Sequence, residues 1–207
     1  NLDTLHKIEK EYNEELSYLE TKLQTMAKEA MGDTPINLSS PDDRSVLLYS
    51  RKVKDKSLWS MTFNLGHEMR GNTMKPKLRT RMKNNDFIRN VRNMTDVNYK
   101  TIGSRCITCM GKGRIKKFNK NGELSKAVRV CRPCVGKGIV YTPTNEVAGF
   151  KIVPRNPRDT ASAGFKTDKV TLEDRSTELS GDAREFCVAY SRYNAIRTYL
   201  STFVEGM

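Results

Sequence analysis

The octapeptide CITCMGKG occupies residues 106–113, and CRPCVGKG repeats its pattern at 131–138. Both follow Cys-x-x-Cys-x-Gly-Lys-Gly. Two thiolates two residues apart can both reach one metal ion, and glycines permit the positive φ of a tight turn behind them. The repeat therefore predicts one tetrahedral site that holds one structural zinc ion. Its ligands are Cys106, Cys109, Cys131 and Cys134.

Four cysteine ligands would leave no open coordination position, so the site is expected to be structural and not catalytic. The alternatives are two disulfides or four unrelated thiols. No signal peptide pattern is present, and we expect a reducing cytoplasm, which disfavours disulfides. The repeat also resembles the zinc modules of DnaJ-type chaperones, which have four such repeats and two zinc ions.

The segment between the repeats predicts a β-hairpin. Twenty-one residues separate Cys109 from Cys131. RIKKF at 114–118 and AVRV at 127–130 are candidate strands, with residues 119–122 as the turn. GIVYTP at 138–143 is a third candidate strand. We expect the zinc module to span about 104–141.

Charge divides the chain of 207 residues unevenly. Residues 51–160 contain 26 Lys and Arg against 7 Asp and Glu, whereas the flanks contain 11 against 17. A basic middle favours a polyanion, nucleic acid first and an acidic protein second, over a merely solvated face. Only 37% of residues are hydrophobic, which predicts a thin core in at least one part. No apolar run is long enough to span a membrane, so no membrane partner is expected.

Helices are predicted at both ends of the chain. Apolar residues spaced three or four apart predict one helix over 2–31, stopped by Gly32, that packs against a later helix or forms a coiled-coil dimer. Ser40 is a candidate N-cap for a helix from Pro41 to about Lys52, and such a capped N-terminus can also present N–H groups to phosphate.

Further helices are expected near the C-terminus. One is capped by Thr167 or Asp168 and runs through Leu172, and the last begins at about Gly181. Cys187 lies in the last helix, and we interpret it as a buried structural thiol.

The stretch from 56 to 101 has weaker periodicity. Residues 58–65 predict a short strand or a turn of helix, 85–93 a short helix, and the rest of 70–92 a loop. Trp59 and Phe63 are interpreted as packing anchors, with stacking on bases as the alternative. His67 is left out of the metal site because four cysteines suffice. The predicted basic patch consists of Arg70, Lys75, Lys77, Arg79, Arg81 and Lys83.

Three further motifs, in this order, resemble the thumb of family A DNA polymerases. INLSSP at 36–41 is similar to the FNINSP-type turn of that family, and GFKTDKVTLE at 164–173 to its GYSTDADVLE-type segment. YNAIRTYLSTFVEGM at 193–207 is similar to its YRQLSKLKSTYVDGL-type end. Thr198 and Leu200 depart from the two lysines usual there, and Ser39 from a frequent Asn.

The resemblance implies a thumb that grips the sugar-phosphate backbone of primer-template DNA. The catalytic carboxylates of such an enzyme lie in its palm, so no catalytic residue and no small-molecule substrate are expected in this chain. The parent protein would be a DNA-directed DNA polymerase. The implied DNA contacts are Asn37, Ser39, Ser40, Lys166, Thr167, Arg197, Ser201 and Thr202.

The expected fold class is α+β. Residues 1–53 and 161–207 would form an antiparallel helical thumb, and 54–160 a basic insertion with a zinc-ribbon-like module at the thumb tip. Some phage replicative polymerases carry an insertion there that raises processivity. Two alternatives stay open: the insertion is a docking platform for a processivity or replisome protein, or the chain is a stand-alone zinc-dependent nucleic-acid-binding or DnaJ-like module.

Overall fold

A computed structural model of the chain describes residues 2–118, 121–122 and 124–204. Within these ranges, short antiparallel strand pairs alternate with helices. The helices are α1 (Leu2–Met31), α2 (Pro41–Tyr49), α3 (Lys56–Thr62), α4 (Asn84–Met94), α5 (Lys169–Ser176) and α6 (Gly181–Tyr199). The strands are β1 (Arg51–Val53), β2 (His67–Arg70), β3 (Thr73–Pro76), β4 (Thr95–Val97), β5 (Tyr99–Arg105), β6 (Arg114–Phe118), β7 (Leu124–Val130), β8 (Ile139–Val147), β9 (Thr160–Ala161) and β10 (Gly164–Phe165).

Helices α1 and α6 pack against each other in antiparallel orientation. Lys22 of α1 pairs with Glu185 at 2.6 Å, and Glu15 pairs with Arg192 at 2.7 Å. Residue numbers of the paired positions therefore rise along α6 as they fall along α1, as in two antiparallel helices. The helix predicted over 2–31 is confirmed, and its packing partner is the helix from the other end of the chain.

Helix α2 begins as predicted and ends earlier than predicted. The Ser40 hydroxyl accepts a hydrogen bond from the Asp43 N–H at 3.3 Å, and Pro41 is the first helical residue. The predicted extension to Lys52 is wrong, because Ser50 adopts a left-handed conformation with φ of 59°. The chain then enters β1, which pairs with β4.

Residues 56–94 are more ordered than the sequence indicated. The 58–65 stretch lies largely in α3, and the short helix predicted at 85–93 is confirmed as α4. The predicted loop within 70–92 is wrong at its start, because β2 and β3 form a hairpin there. Gly71, with φ of +63°, sits in its turn.

Trp59 and Phe63 are packing anchors of the main core, and the alternative of stacking on bases is wrong for both. Neither side chain is exposed, and their rings meet at 4.6 Å between centroids. The Trp59 indole N–H donates to the Ala161 carbonyl at 2.9 Å. The core joins residues of the 54–160 segment to residues of both flanks, including Leu48 and Phe186.

Residues 99–147 form a separate two-part β-ribbon that we call the arm. Strands β5 and β8 pair at its base, β6 and β7 pair at its tip, and the two cysteine motifs lie between the pairs. Strands β6 and β8 confirm the predicted strands at 114–118 and 138–143, with β8 continuing to Val147; of the predicted turn, Asn119 and Lys120 lie outside the described residues. Among described residues the arm contributes none to the main core.

The base of the arm is attached to the end of α1. Gly32 forms a bridge with Thr101, and the Asp33 N–H donates to the Thr101 carbonyl at 2.8 Å. The Gly103 N–H donates to the Asp33 carboxylate at 2.8 Å. Thr34 adds an N–H bond of 3.0 Å to the Thr101 hydroxyl. The predicted helix stop at Gly32 therefore also fixes the arm.

Replacing Gly32 with Ala should lower the free energy of unfolding by about 2 to 4 kcal/mol. Gly32 has φ of +79°, and an added Cβ would lie 2.4 Å from the Thr101 carbonyl oxygen. Urea denaturation measures the change. Gly71→Ala is the matched control, since Gly71 also has a positive φ but no atom within 4 Å of an added Cβ. Equal losses in both variants would contradict a role for the Gly32 contact.

The connector from the arm to α5 is fixed by a buried ion pair. Arg175 of α5 donates to the Asp159 carboxylate, which also accepts from the Asn156 N–H at 3.4 Å. Asp168 caps α5 by accepting from the Thr171 N–H at 3.1 Å. The helix predicted through Leu172 continues to Ser176.

In the described part of the chain, every helix is too short or too polar to cross a membrane.

Candidate metal centre and its basic arm

Each cysteine motif folds into a tight turn, and the two turns, which we call knuckles, repeat the same hydrogen bonds. The Gly111 N–H donates to the Cys106 carbonyl, and the Gly136 N–H to the Cys131 carbonyl, each at 3.1 Å. The residues before these glycines, Met110 and Val135, have φ of 49° and 48°. Identical sequence spacing thus gives nearly identical backbone conformation.

The knuckles exchange a reciprocal pair of hydrogen bonds. The Cys106 N–H donates to the Gly138 carbonyl at 2.8 Å, and the Cys131 N–H donates to the Gly113 carbonyl at 2.9 Å. The first cysteine of each knuckle is therefore bound to the last glycine of the other. This exchange gives the centre an approximate two-fold arrangement and brings the four sulfurs together.

The four predicted ligands form one buried cluster positioned to bind a metal ion. All four Sγ atoms lie within 4.8 Å of one another. The Cys106 and Cys131 sulfurs are 3.7 Å apart, and the Cys109 and Cys134 sulfurs 3.6 Å. These separations far exceed a disulfide bond of about 2.05 Å, and the cysteines are free. The alternatives of two disulfides or unrelated thiols are wrong for this structure.

Backbone N–H groups surround the sulfurs. Gly113 donates to the Cys109 sulfur at 3.2 Å, and Gly138 donates to the Cys134 sulfur at 3.3 Å. Such bonds stabilise thiolate over thiol, which is the form that binds metal. The same two glycines therefore join the knuckles through their carbonyls and support the ligands through their N–H groups.

The thiols of Cys106 and Cys131 differ in acidity. A hydrogen bond from the Cys109 backbone lowers the pKa of the Cys106 thiol to about 7. Burial raises the pKa of Cys131 to about 12. One thiolate thus forms readily near neutral pH, while the full set of four needs a cation to compensate the charge. This chemistry fits a metal ion that displaces protons from the remaining thiols.

The centre is also the small second core of the chain. Among described residues, the apolar side chains packed against the cysteines are Ile115 and Val140, both half-buried. Each knuckle instead exposes apolar residues at its turn: Ile107 is 83% exposed and Val135 76%. So few apolar contacts give the knuckles and the tip of the arm little core of their own, which is the setting in which a bound metal ion would add most stability.

The arm is strongly basic. Residues 99–147 contain 11 Lys and Arg against two Glu. In the tip hairpin, Arg114 pairs across strands with Val130, and Lys116 with Val128. Ile115, whose side chain turns toward the cysteines, pairs with Arg129. Exposed cations therefore lie on both faces of the ribbon.

The first group of predicted DNA contacts lies at the start of α2. Asn37 and Ser39 are exposed, and the Ser39 N–H donates to the Asn37 side-chain oxygen at 3.0 Å. The Ser40 hydroxyl is engaged as the helix cap. The Asp43 carboxylate accepts from the Asn37 N–H at 2.9 Å, so the turn already holds an anion of its own.

The second group is joined to the first by Arg44. Its guanidinium donates to the Leu38 carbonyl at 2.7 Å and to the Thr167 hydroxyl at 3.2 Å. The Tyr190 hydroxyl donates to the same Leu38 carbonyl at 3.0 Å. Thr167 is buried, whereas Lys166 is half-exposed. The roles of Arg44 and Tyr190 were not predicted from the sequence, because each depends on a partner more than 100 residues away.

The third group lies at the end of α6 and in the short π-helix Leu200–Val204 that follows it. Arg197, Ser201 and Thr202 are exposed, and Arg197 and Ser201 line a shallow groove with Glu9 of α1. Arg197 lies seven positions after Tyr190, which is roughly 10 Å along the helix axis. The eight predicted contacts therefore form three groups, of which the first two are joined through Arg44, and not a single cluster.

The predicted basic patch is spread over a hairpin and the segment before α4. Arg70 is paired with Glu68 at 2.7 Å between Nε and the carboxylate. Lys75 lies on β3, and Arg81 and Lys83 are exposed. Arg79 is half-buried, and burial lowers the pKa of its guanidinium. His67 is exposed on β2, apart from the cysteine cluster.

Comparisons of the chain with protein-family models, with curated proteins and with solved structures find no match.

Proposed function

We propose that this chain is the DNA-gripping thumb region of a family A, phage-type DNA polymerase, and that the arm extends its grip on primer-template DNA. One observation carries the proposal. The motif at 36–41 and the motif at 164–173 meet around Arg44, and Tyr190 of the helix that leads into the third motif contacts the same Leu38 carbonyl.

The proposed ion is zinc. Zinc bound to thiolates at about 2.3 Å in a tetrahedron places the sulfurs about 3.8 Å apart. The two closest sulfur pairs, at 3.6 and 3.7 Å, are compatible with that spacing. The ion would hold the two knuckles together and join the base of the arm to its tip. It would take no part in a reaction, because all four positions are filled by cysteine.

The arm would act on DNA through charge. A β-ribbon with cations on both faces can lie along the sugar-phosphate backbone without reading bases, as a polymerase that copies any sequence requires. Each phosphate neutralised releases counterions and slows dissociation at low salt. The arm would therefore raise the number of nucleotides added per binding event.

The proposed contacts on the helical body are those already exposed. Asn37 and Ser39 at the α2 turn, with Arg197 and Ser201 near the end of α6, can reach a backbone without rearrangement. Thr167 would act differently. Its hydroxyl accepts from Arg44, so we propose that it positions the α2 turn and that Lys166 provides the contact.

Neutralising the tip of the arm tests this proposal. The variant carries Arg114→Gln, Lys116→Gln, Lys117→Gln and Arg129→Gln, all at exposed positions. We expect binding to a fluorescent primer-template duplex to weaken about tenfold or more near 0.1 M salt, and the salt slope to fall by about 3 to 4. In the parent polymerase the same variant should shorten the products of a single binding event.

The matched control removes the same charge elsewhere. Lys7, Lys10, Lys28 and Arg184 are exposed on α1 and α6, and all four become Gln. A small loss in the control and a large loss in the tip variant support a direct contact by the arm. Equal losses, or an unchanged salt slope in the tip variant, would rule that contact out.

A second candidate function makes the arm a docking platform for a processivity or replisome protein. The exposed apolar side chains of Ile107 and Val135 favour this second function, because a ribbon that binds DNA through its cations does not need exposed apolar side chains. A stand-alone zinc-dependent nucleic-acid-binding or DnaJ-like module is the third candidate. Capture of a partner protein that is lost in Ile107→Ser but kept in the tip variant would favour docking. DNA binding that is kept in the tip variant but lost in Ile107→Ser would favour neither alternative.

A further inference from the structure

A groove of about 440 Å³ lies beside α4, on a part of the molecule that the proposed DNA contacts do not use. One wall is the face of α4 that carries Ile88 and Val91. The other wall is the extended segment 151–154, and the floor is the turn from α2 into β1. Its lining includes no metal-ligating cysteine and none of the eight predicted DNA contacts.

The walls of the groove are aliphatic and partly open to solvent. Val153 is 72% exposed, Ile88 37% and Val97 36%. The two aromatic residues in the lining, Tyr49 and Phe87, are buried in the core. Stacking of nucleobases requires exposed aromatic faces, so this lining suits apolar side chains of a protein better than bases.

The rim of the groove is positive. Arg51, Arg92 and Lys151 line it, and none of its described lining residues is acidic. Glu146 lies nearby but forms an ion pair with Lys100 at 2.6 Å. Lys100 is the main cause of the lowered pKa of the Glu146 carboxyl, and Lys151 contributes less. An occupant with carboxylates beside an apolar side chain would therefore satisfy both the rim and the walls.

We propose that this groove binds a short acidic segment of a partner protein that carries bulky apolar side chains. The apolar side chains would lie between α4 and Val153, and the flanking carboxylates would meet Arg51, Arg92 and Lys151. The volume has room for a few side chains, which predicts a weak, reversible contact. The proposal depends on neither the polymerase assignment nor the metal.

The test uses the whole chain and a fluorescent peptide, Asp-Glu-Asp-Leu-Phe-Asp-Glu-Asp. We expect saturable binding with a Kd below about 100 μM, and at least tenfold weaker binding in Val153→Asp and in Arg92→Glu. A peptide with Ser in place of Leu and Phe should not bind. Both substituted residues are exposed, and thermal unfolding checks that the variants stay folded.

Arg89→Glu is the matched control, because Arg89 lies on α4, pairs with Asp86 at 2.7 Å and does not line the groove. It should leave peptide binding unchanged. Three results would overturn the proposal: equal binding of the Ser peptide, equal weakening in Arg89→Glu, or competitive displacement of the peptide by primer-template DNA. A chain that self-associates until Arg92→Glu is introduced would assign the groove to a second copy instead.

Discussion

Replacing Cys131 with Ser is expected to reduce the metal content of the purified chain from one ion to a small fraction of one, and to unfold the knuckles and the tip of the arm. The Cys131 sulfur is fully buried and lies 3.7 Å from that of Cys106. A serine hydroxyl does not provide the thiolate that this site requires. Elemental analysis measures the metal, and amide hydrogen exchange over 99–147 reports the arm.

The size of the expected effect follows from how little else holds the knuckles and the tip of the arm together. A two-stranded ribbon is at best marginally stable in water. Only Ile115 and Val140 pack against the cysteines among described residues. Structural zinc sites contribute on the order of 10 kcal/mol, far more than two half-buried aliphatic side chains. Loss of one ligand should therefore remove protection from the knuckles and the tip hairpin, while α1, α6 and the base of the arm, which is bonded to the end of α1, stay protected.

Cys187→Ser is the matched control. It makes the same chemical change at a fully buried thiol in α6, away from the cluster. Burying an unpaired hydroxyl there should cost about 1 to 3 kcal/mol of global stability and leave the metal content unchanged. Full metal content and a protected arm in Cys131→Ser would show that the four cysteines do not act as one site.

The ligand set was predictable because its signal is local. Two thiols two residues apart, followed by glycines, specify each knuckle without reference to the rest of the chain. The register between the knuckles was not predictable. Nothing in either octapeptide indicates that Cys106 donates to Gly138 and Cys131 to Gly113, because that exchange depends on how the whole ribbon folds back.

Tertiary contacts explain most of the differences between the expected and observed fold. The end of α2 at Tyr49 is imposed by the pairing of β1 with β4, about forty residues later. The hairpin at 67–76 is largely exposed, so its strands show no apolar alternation and a loop was expected in their place.

The core of the 54–160 segment shows the same limit. Trp59 was correctly predicted to be a packing anchor. Its hydrogen-bond partner, the Ala161 carbonyl, lies 102 residues away and was not predictable. Residues before the arm therefore share the main core, and the part that depends on the cysteines is narrower than the predicted basic insertion. The boundaries at 53/54 and 160/161 stay predictions about where a segment is inserted into the chain. The main core extends across both of them.

Gly113→Ala and Gly138→Ala are each expected to weaken binding of the proposed zinc ion a hundredfold or more. A Cβ on Gly113 would lie 2.0 Å from the Gly136 carbonyl oxygen, and one on Gly138 would lie 2.2 Å from the Gly111 carbonyl oxygen. Both obstacles are backbone atoms, so no side chain can move aside. The knuckles would have to separate, which breaks the reciprocal hydrogen bonds and spreads the sulfurs. Competition with a chromophoric chelator measures the affinity.

Gly122→Ala separates this clash from ordinary backbone strain. Gly122 has φ of +81°, close to the +70° of Gly113 and the +77° of Gly138, but an added Cβ there meets no atom of the described residues within 4 Å. Left-handed strain of about 1 to 2 kcal/mol at the tip should therefore leave zinc affinity within a few-fold of wild type. If Gly122→Ala weakened zinc as much as Gly113→Ala, strain and not contact between the knuckles would set the affinity. A large difference would instead show that the approach of the two backbones, which only glycine permits, holds the four thiolates in place.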